Sequence, residues 1–206
     1  MTSLPDNHAL ELGPDVIRHL LPHRRPFLMV DRIRRYERGP APKLWAERYV
    51  SANEPVFEGH YPGLHLWPGV YTIEGLGQTS LLLEVLAFLE REAETLGKRP
   101  DDALSELRNL ELGYRLRPGF DPAGSGLLRA LSERRPPLAM SGSVEMKFIE
   151  PVFAGTMLEY QVVRQQIFEQ RFVRVGVEAR VSGKIVAKGT LTGVTGAALH
   201  PDAPPH

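Results

Sequence analysis

The chain has 206 residues, 25 Lys+Arg against 25 Asp+Glu, and no cysteine. That length suits one domain, or one domain carrying a large insertion, and can bury a sizeable core. The zero net charge speaks against a general nucleic-acid binder, and the absence of thiols excludes disulfide scaffolds, thiolate zinc sites, Fe–S clusters and cysteine nucleophiles.

Residues 14–21 (PDVIRHLL) predict a short helix opened by Pro14. Residues 27–37 (FLMVDRIRRYE) alternate as a strand, Gly39-Pro40 breaks it, and residues 43–51 predict a second strand with Leu44, Ala46 and Arg48 on one face. Residues 53–68 hold three Pro and two Gly and read as loop. Pro68-Gly69 then opens an apolar run of about 24 residues, roughly 36 Å of helix. Apolar side chains cover nearly every face of it, so other structure must wrap it. Because the run carries Glu74, Gln78 and Glu84, a buried helix is expected rather than a lipid-facing span. Residues 93–137, with five prolines and five glycines, read as an insertion or mobile excursion holding two short amphipathic pieces near 101–110 and 125–134. Four strands follow at 138–149, 157–169, 171–182 and 184–194, the last two joined as a hairpin at Gly183-Lys184. The tail, 196–206, is expected to be disordered. The N-terminal residues are polar and acidic, so no leader is expected and the cytoplasm is the default location. The sum is a single α+β domain with one long helix covered by an antiparallel sheet, and a dimer interface or the insertion completing the cover.

Two residues carry chemical interest. His60 lies in the glycine-bounded loop Gly59-His60-Tyr61-Pro62-Gly63. Glu74 lies one to two turns into the apolar helix, with Tyr71 and Gln78 at i−3 and i+4 on its face. Burial among aliphatic side chains favours the protonated carboxyl, so Glu74 can donate a proton and an imidazole can accept one. Gly69, at the helix N-terminus, leaves an N–H open to a substrate carbonyl, where it could stabilise a developing enolate. The plainer alternatives stay open from the residues alone. A loop histidine is more often structural or solvated, and a single helix glutamate is also read as facing a dimer partner or a buried arginine. His60, His65 and Glu58 match no strong metal motif, so no metal is expected. Gly75-Leu76-Gly77 lacks the third glycine of a dinucleotide fingerprint, and no serine nucleophile elbow exists.

Three ordered motifs resemble one family. Leu21-Pro22-His23-Arg24-Arg25-Pro26-Phe27-Leu28-Met29-Val30-Asp31-Arg32, the stretch from Asn53 to Gly63 around His60, and Pro68-Gly69-Val70 through Ile73-Glu74 and Gln78 are similar to bacterial (3R)-hydroxyacyl-[acyl-carrier-protein] dehydratases. Met146-Lys147-Phe148 and Pro151-Val152-Phe153-Ala154-Gly155-Thr156 extend the resemblance over roughly 14–92 and 138–194. It implies a hot-dog fold and a homodimer, often assembled further as a trimer of dimers. It also implies a site shared between subunits, the histidine of one facing the acid of the other. The implied reaction removes water from a (3R)-hydroxyacyl thioester to give a trans-2-enoyl thioester, without cofactor. His60 would take the C2 proton and Glu74 would protonate the leaving C3 hydroxyl. Gly69, with Val70 beside it, would polarise the thioester carbonyl. Gln78 would orient Glu74, and Tyr71 stands behind the same face.

The sequence departs from the family where the acyl tunnel is expected. Leu64-His65-Leu66-Trp67 replaces a stretch with a basic residue, a proline and a methionine, so Trp67 and His65 are expected to reshape the tunnel. Gly75 and Gly77 stand where alanines are usual and remove volume. The insertion is expected to cap the tunnel or the oligomer surface. An acidic acyl carrier protein would be met by basic residues, with Arg32, Arg34, Arg35, Arg38, Arg134-Arg135 and Arg171/Arg174 as candidates. Two competing functions are a hot-dog thioesterase, which generally lacks this histidine loop, and a catalytically degenerate subunit that binds acyl chains.

Overall fold

A helix that is apolar on all sides must be enclosed, and this chain does so with one sheet and further helices. The computed structural model describes residues 9–134, 139–169 and 172–195. In chain order these form β1 (Ala9–Leu12), α1 (Pro14–Leu20), β2 (Arg32–Glu37), β3 (Lys43–Val50), a 3-10 turn (Pro55–Glu58), α2 (Gly69–Thr95), α3 (Pro100–Leu116), a 3-10 turn (Pro122–Gly124), α4 (Gly126–Arg134), β4 (Ala139–Phe148), β5 (Thr156–Phe168), β6 (Phe172–Val181) and β7 (Lys184–Thr195). The seven strands form one antiparallel sheet in the order β1-β2-β3-β5-β6-β7-β4. Alternation puts Leu44, Ala46 and Arg48 of β3, Leu158, Tyr160 and Val162 of β5, and Val173, Val175, Val177 and Ala179 of β6 on the buried face. Leu76, Leu82, Leu83, Leu86 and Leu89 of α2 are fully buried against them.

The carboxylates of α2 that enter the core are paired there. Glu84 accepts two hydrogen bonds from Arg164 of β5, each 2.8 Å. Glu90 accepts from the Tyr36 hydroxyl at 2.8 Å and from Arg38 Nε at 3.0 Å. Burial first, and then the Glu90 carboxylate, push the Tyr36 phenol well above its ordinary range. By length and mean hydropathy α2 could cross a membrane, yet 72% of its most apolar window is buried inside the protein.

Three expectations change. Residues 27–31 are not a strand, because part of their backbone bonding is taken by a side chain: the Gln78 amide accepts from Met29 N–H at 2.8 Å and donates to the Phe27 carbonyl at 2.7 Å. Strand β1 was not expected; it is short, and its pairing with β2 is broken by a register shift. The segment 93–137 is no loose excursion over its described residues. Its two pieces are α3 and α4, and Ala103, Leu104, Leu107, Leu110, Leu127 and Leu131 are buried in the common core. Helix α3 also ties down the N-terminal elements. The Glu111 carboxylate accepts from Gly13 N–H at 2.8 Å, Arg108 Nη2 donates to the Ala9 carbonyl at 2.6 Å, and His19 Nε2 meets the Tyr114 hydroxyl at 2.7 Å. The expected hairpin is present, with Ser182 and Gly183 at φ 50° and 76° between the paired Val181 and Lys184. The tail 196–206 lies outside the described residues.

Leu107 is 0% exposed at the centre of the α3 contact. Leu107→Ala is expected to cost about 2–5 kcal/mol, read as a lowered urea midpoint at fixed chain concentration. A loss near zero would show that α3 is only loosely attached.

Candidate active site

The His60 loop is built from β3 outward. Arg48 is buried and pairs with Asp31 at 2.8 Å and with Glu54, the residue that precedes the 3-10 turn. The turn ends with His60 N–H donating to the Val56 carbonyl at 2.9 Å. His60 Nδ1 lies 2.8 Å from the Leu66 carbonyl oxygen. A carbonyl only accepts, so Nδ1 carries the proton and Nε2 presents a bare lone pair. The imidazole stacks on Tyr61 with ring centroids 4.2 Å apart.

His60 borders an open cleft of about 430 Å³ together with Trp67, Gly69, Thr72, Phe148 and Ile149. Gly69 starts α2 after Pro68, and no hydrogen bond occupies its N–H or that of Val70 among the described residues. A Cβ at Gly69 would lie 2.9 Å from the Phe148 ring, so only glycine lets the ring close over the helix start. Val70 is 66% exposed beside it.

Glu74 is elsewhere. Five residues beyond Gly69 at 3.6 residues per turn, it projects about 140° around the helix. Its Oε1 accepts from Gln78 Nε2 at 2.8 Å and faces His23 Nε2 at 3.6 Å. One chain therefore brings Glu74, Gln78 and His23 together, and separately His60, Gly69 and Trp67, but it makes no contact between His60 and Glu74. Gln78 holds Glu74 as the spacing predicts. Tyr71 packs edge-on against Trp67, with centroids 5.2 Å apart. His23 had no role assigned in the sequence, although it lies in the first quoted motif. The signal was there only as a histidine beside the segment that Gln78 grips.

The expected tunnel residues divide. Trp67 is 3% exposed and lines the cleft behind His60, under the Arg48 guanidinium at 5.9 Å. His65 is exposed and stacks on Phe57, with centroids 5.1 Å apart. Gly77 has open space where a Cβ would stand. Gly75 does not widen the site: a Cβ there would collide with the Tyr160 hydroxyl, so the tyrosine has filled that volume. The arginines of the expected carrier surface are mostly engaged. Arg32 and Arg34 pair with Glu11, Arg34 also with Glu47, Arg35 with Glu37, and Arg38 with Glu90 and Asp101. Arg174 lines a trough on the outer sheet face with Lys147 and Lys188. Arg135 and Arg171 lie outside the described residues, as does the side chain of Arg134.

This architecture is that of the hot-dog class. A dehydratase heterocomplex (ApeI:P) from Xenorhabdus doucetiae shares the fold at a TM-score of 0.52 and 13% identity, over 87% of this chain and 90% of that one. A family model described as a FabA-like domain matches residues 21–106, which span His23, His60, Glu74 and Gln78. The chain is 49% identical over 78 residues to the 3-hydroxyacyl-[acyl-carrier-protein] dehydratase FabZ of a Nitratiruptor species, covering 38% of this chain and 51% of that one. It is 31% identical over 188 residues to the FabZ of Yersinia enterocolitica (serotype O:8 / biotype 1B), covering 90% and 83%. The chain belongs to the FabZ 3-hydroxyacyl-[acyl-carrier-protein] dehydratase family. With relatives such as the Nitratiruptor protein, the match spans about half of their length.

Gln78 joins the 27–29 segment to Glu74. Gln78→Leu would strand the Met29 N–H and the Phe27 carbonyl, a cost of about 1–3 kcal/mol for each group left unpaired. Chemical denaturation is expected to show that loss. A variant as stable as the parent would show that the clamp is dispensable.

Proposed function

We propose that this protein is a hydro-lyase that converts a (3R)-hydroxyacyl thioester, borne on an acyl carrier protein, to the trans-2-enoyl thioester in acyl-chain biosynthesis in the cytoplasm. The observation that carries this is His60. Its Nδ1–H is pinned to a backbone carbonyl and its free Nε2 borders a cleft at the N-terminus of α2. Nε2 takes the C2 proton. The electrons of the broken C–H bond form the C2=C3 double bond, and the C3–O bond breaks. Glu74 supplies the proton with which the hydroxyl leaves as water. The N–H groups of Gly69 and Val70, at the positive end of the helix, stabilise the negative charge that builds on the thioester oxygen. None of these steps calls for a cofactor or metal.

Because Glu74 and His60 lie on different sides of α2, the working unit is a homodimer in which the His60 of one chain meets the Glu74 of the other. Further assembly into a trimer of dimers is compatible with this unit. The surface around the cleft supports it. Edge strand β4 pairs only with β7 among the described residues, Val144, Phe148, Ile149 and Phe153 are 43–50% exposed, and Phe148 and Ile149 line the cleft with Gly69. Lys147, Arg174 and Lys188, on the outer face of the same sheet, offer cations to an acidic carrier.

Incubation with a 3-hydroxyacyl carrier protein, followed by mass spectrometry, tests the proposal. The expected product is an enoyl thioester lighter by one water. His60→Ala and Glu74→Gln are each expected to lose at least about a hundredfold in kcat, the scale of one general acid or base. A free acid as product would point to the thioesterase, and no turnover by the unaltered protein would point to a silent acyl-binding subunit.

A further inference from the structure

The two oxygens of Glu74 have different surroundings. Oε1 accepts the Gln78 Nε2–H at 2.8 Å and faces His23 Nε2 at 3.6 Å. Oε2 has no hydrogen-bond partner among the described residues. His23 is held by its own loop. Arg24 Nη1 donates to the carbonyls of Leu21 and His23, both at 2.8 Å, and the imidazole stacks on Phe27 with centroids 6.3 Å apart. The Phe27 carbonyl in turn accepts from Gln78. The ring and the amide that meet Glu74 are thus two parts of one clamp.

The tautomer of His23 follows from its buried side. Nδ1 is buried and has no hydrogen-bond partner. An orphaned buried N–H is rarer than an orphaned acceptor, so the proton belongs on Nε2, facing Glu74. We propose that His23 is a positioning residue whose Nε2–H, with the Gln78 amide, keeps Glu74 Oε1 an acceptor and so places the transferable proton on Oε2. The proposal rests on the reading of Glu74 as the acid. At 3.6 Å the contact is longer than a hydrogen bond, but contacts in ligand-free active sites are often long and tighten when substrate binds. Two donors on Oε1 then stabilise the carboxylate that forms as the proton leaves Oε2.

The imidazole has to be neutral for this. An imidazolium would hold Glu74 as a carboxylate and remove the acid before substrate arrives. Burial lowers the His23 pKa below its ordinary value and Arg24 adds to this, while Glu74 acts in the opposite sense. The ring is therefore neutral at pH 7. Glu74 from α2 and Arg24 from its own loop are the charged groups that face it among the described residues.

Two readouts test this. In the first, the Glu74 side-chain carboxyl is titrated by ¹³C NMR in the unaltered protein and in His23→Phe, which keeps a stacking ring but has no donor. The Glu74 midpoint is expected to rise in the variant, and the inflection that follows His23 to disappear. Reciprocally, Glu74→Gln is expected to lower the His23 midpoint further, a measurement that stands even if His23→Phe does not fold. In the second readout, His23→Phe loses about tenfold in kcat, the scale of one hydrogen bond, with KM unchanged within about twofold. His23→Gln, which keeps a donor but cannot titrate, retains kcat at neutral pH and loses the acidic limb that His23 sets. Glu74 and His23 titrations that ignore one another overturn the proposal. An unaltered protein with no turnover overturns the dehydratase reading instead, and the titrations still decide whether His23 and Glu74 are coupled.

Discussion

One constraint shapes this molecule: a 27-residue helix with apolar side chains on every side has to be covered. The sheet covers one side, and α3 covers part of another with Leu104, Leu107 and Leu110. At the start of the helix the sheet covers only one face, with Phe148 over Gly69 and Tyr160 over Gly75. On the other face Val70 is 66% exposed and Gly77 faces open space. That uncovered stretch also holds Glu74, while the helix N-terminus on the other side borders the His60 cleft. The incomplete cover and the split chemistry have one physical origin. On the proposed function, a second copy would meet both by bringing its own histidine loop to the open face.

The Gln78 side chain has a second effect of the same kind. A buried amide must find partners for its own donors and acceptor. Here it takes them from Phe27, Met29 and Glu74, so the acid is fixed by the segment that carries His23. The backbone of that segment gives up part of its sheet pairing to do so. Positioning of Glu74 and loss of a strand are therefore one event.

Much of the fold was legible in the sequence because local signals fixed it. Pro68-Gly69 marked the start of α2, Gly183 marked the β6–β7 hairpin, and alternation marked the four C-terminal strands. What was not legible depended on partners distant in sequence. Residues 27–31 alternate like a strand, and only the amide of Gln78 shows why they do not pair as one. Gly75 reads as lost volume until Tyr160 of β5 is seen filling it. The four residues of β1 gain support from Arg108, which lies on the insertion. At the site, His60, Glu74, Gly69 and Gln78 were legible as types at a spacing. That His60 and Glu74 of one chain stand apart is implied by the family resemblance and not by their spacing, since spacing along a chain does not say which way a loop returns. The edge-on contact of Tyr71 with Trp67 was not legible for a similar reason, since Trp67 comes from the loop before α2.

Mixed dimers decide whether each site is made by two chains. A heterodimer of one His60→Ala chain and one Glu74→Gln chain contains one site with both residues altered and one with both intact. It should recover about half of the dehydratase turnover of the unaltered dimer, although each altered homodimer is nearly inactive, since loss of one general acid or base costs on the order of a hundredfold or more. A heterodimer as inactive as its parents would show that His60 and Glu74 of the same chain must work together, and would contradict the shared site.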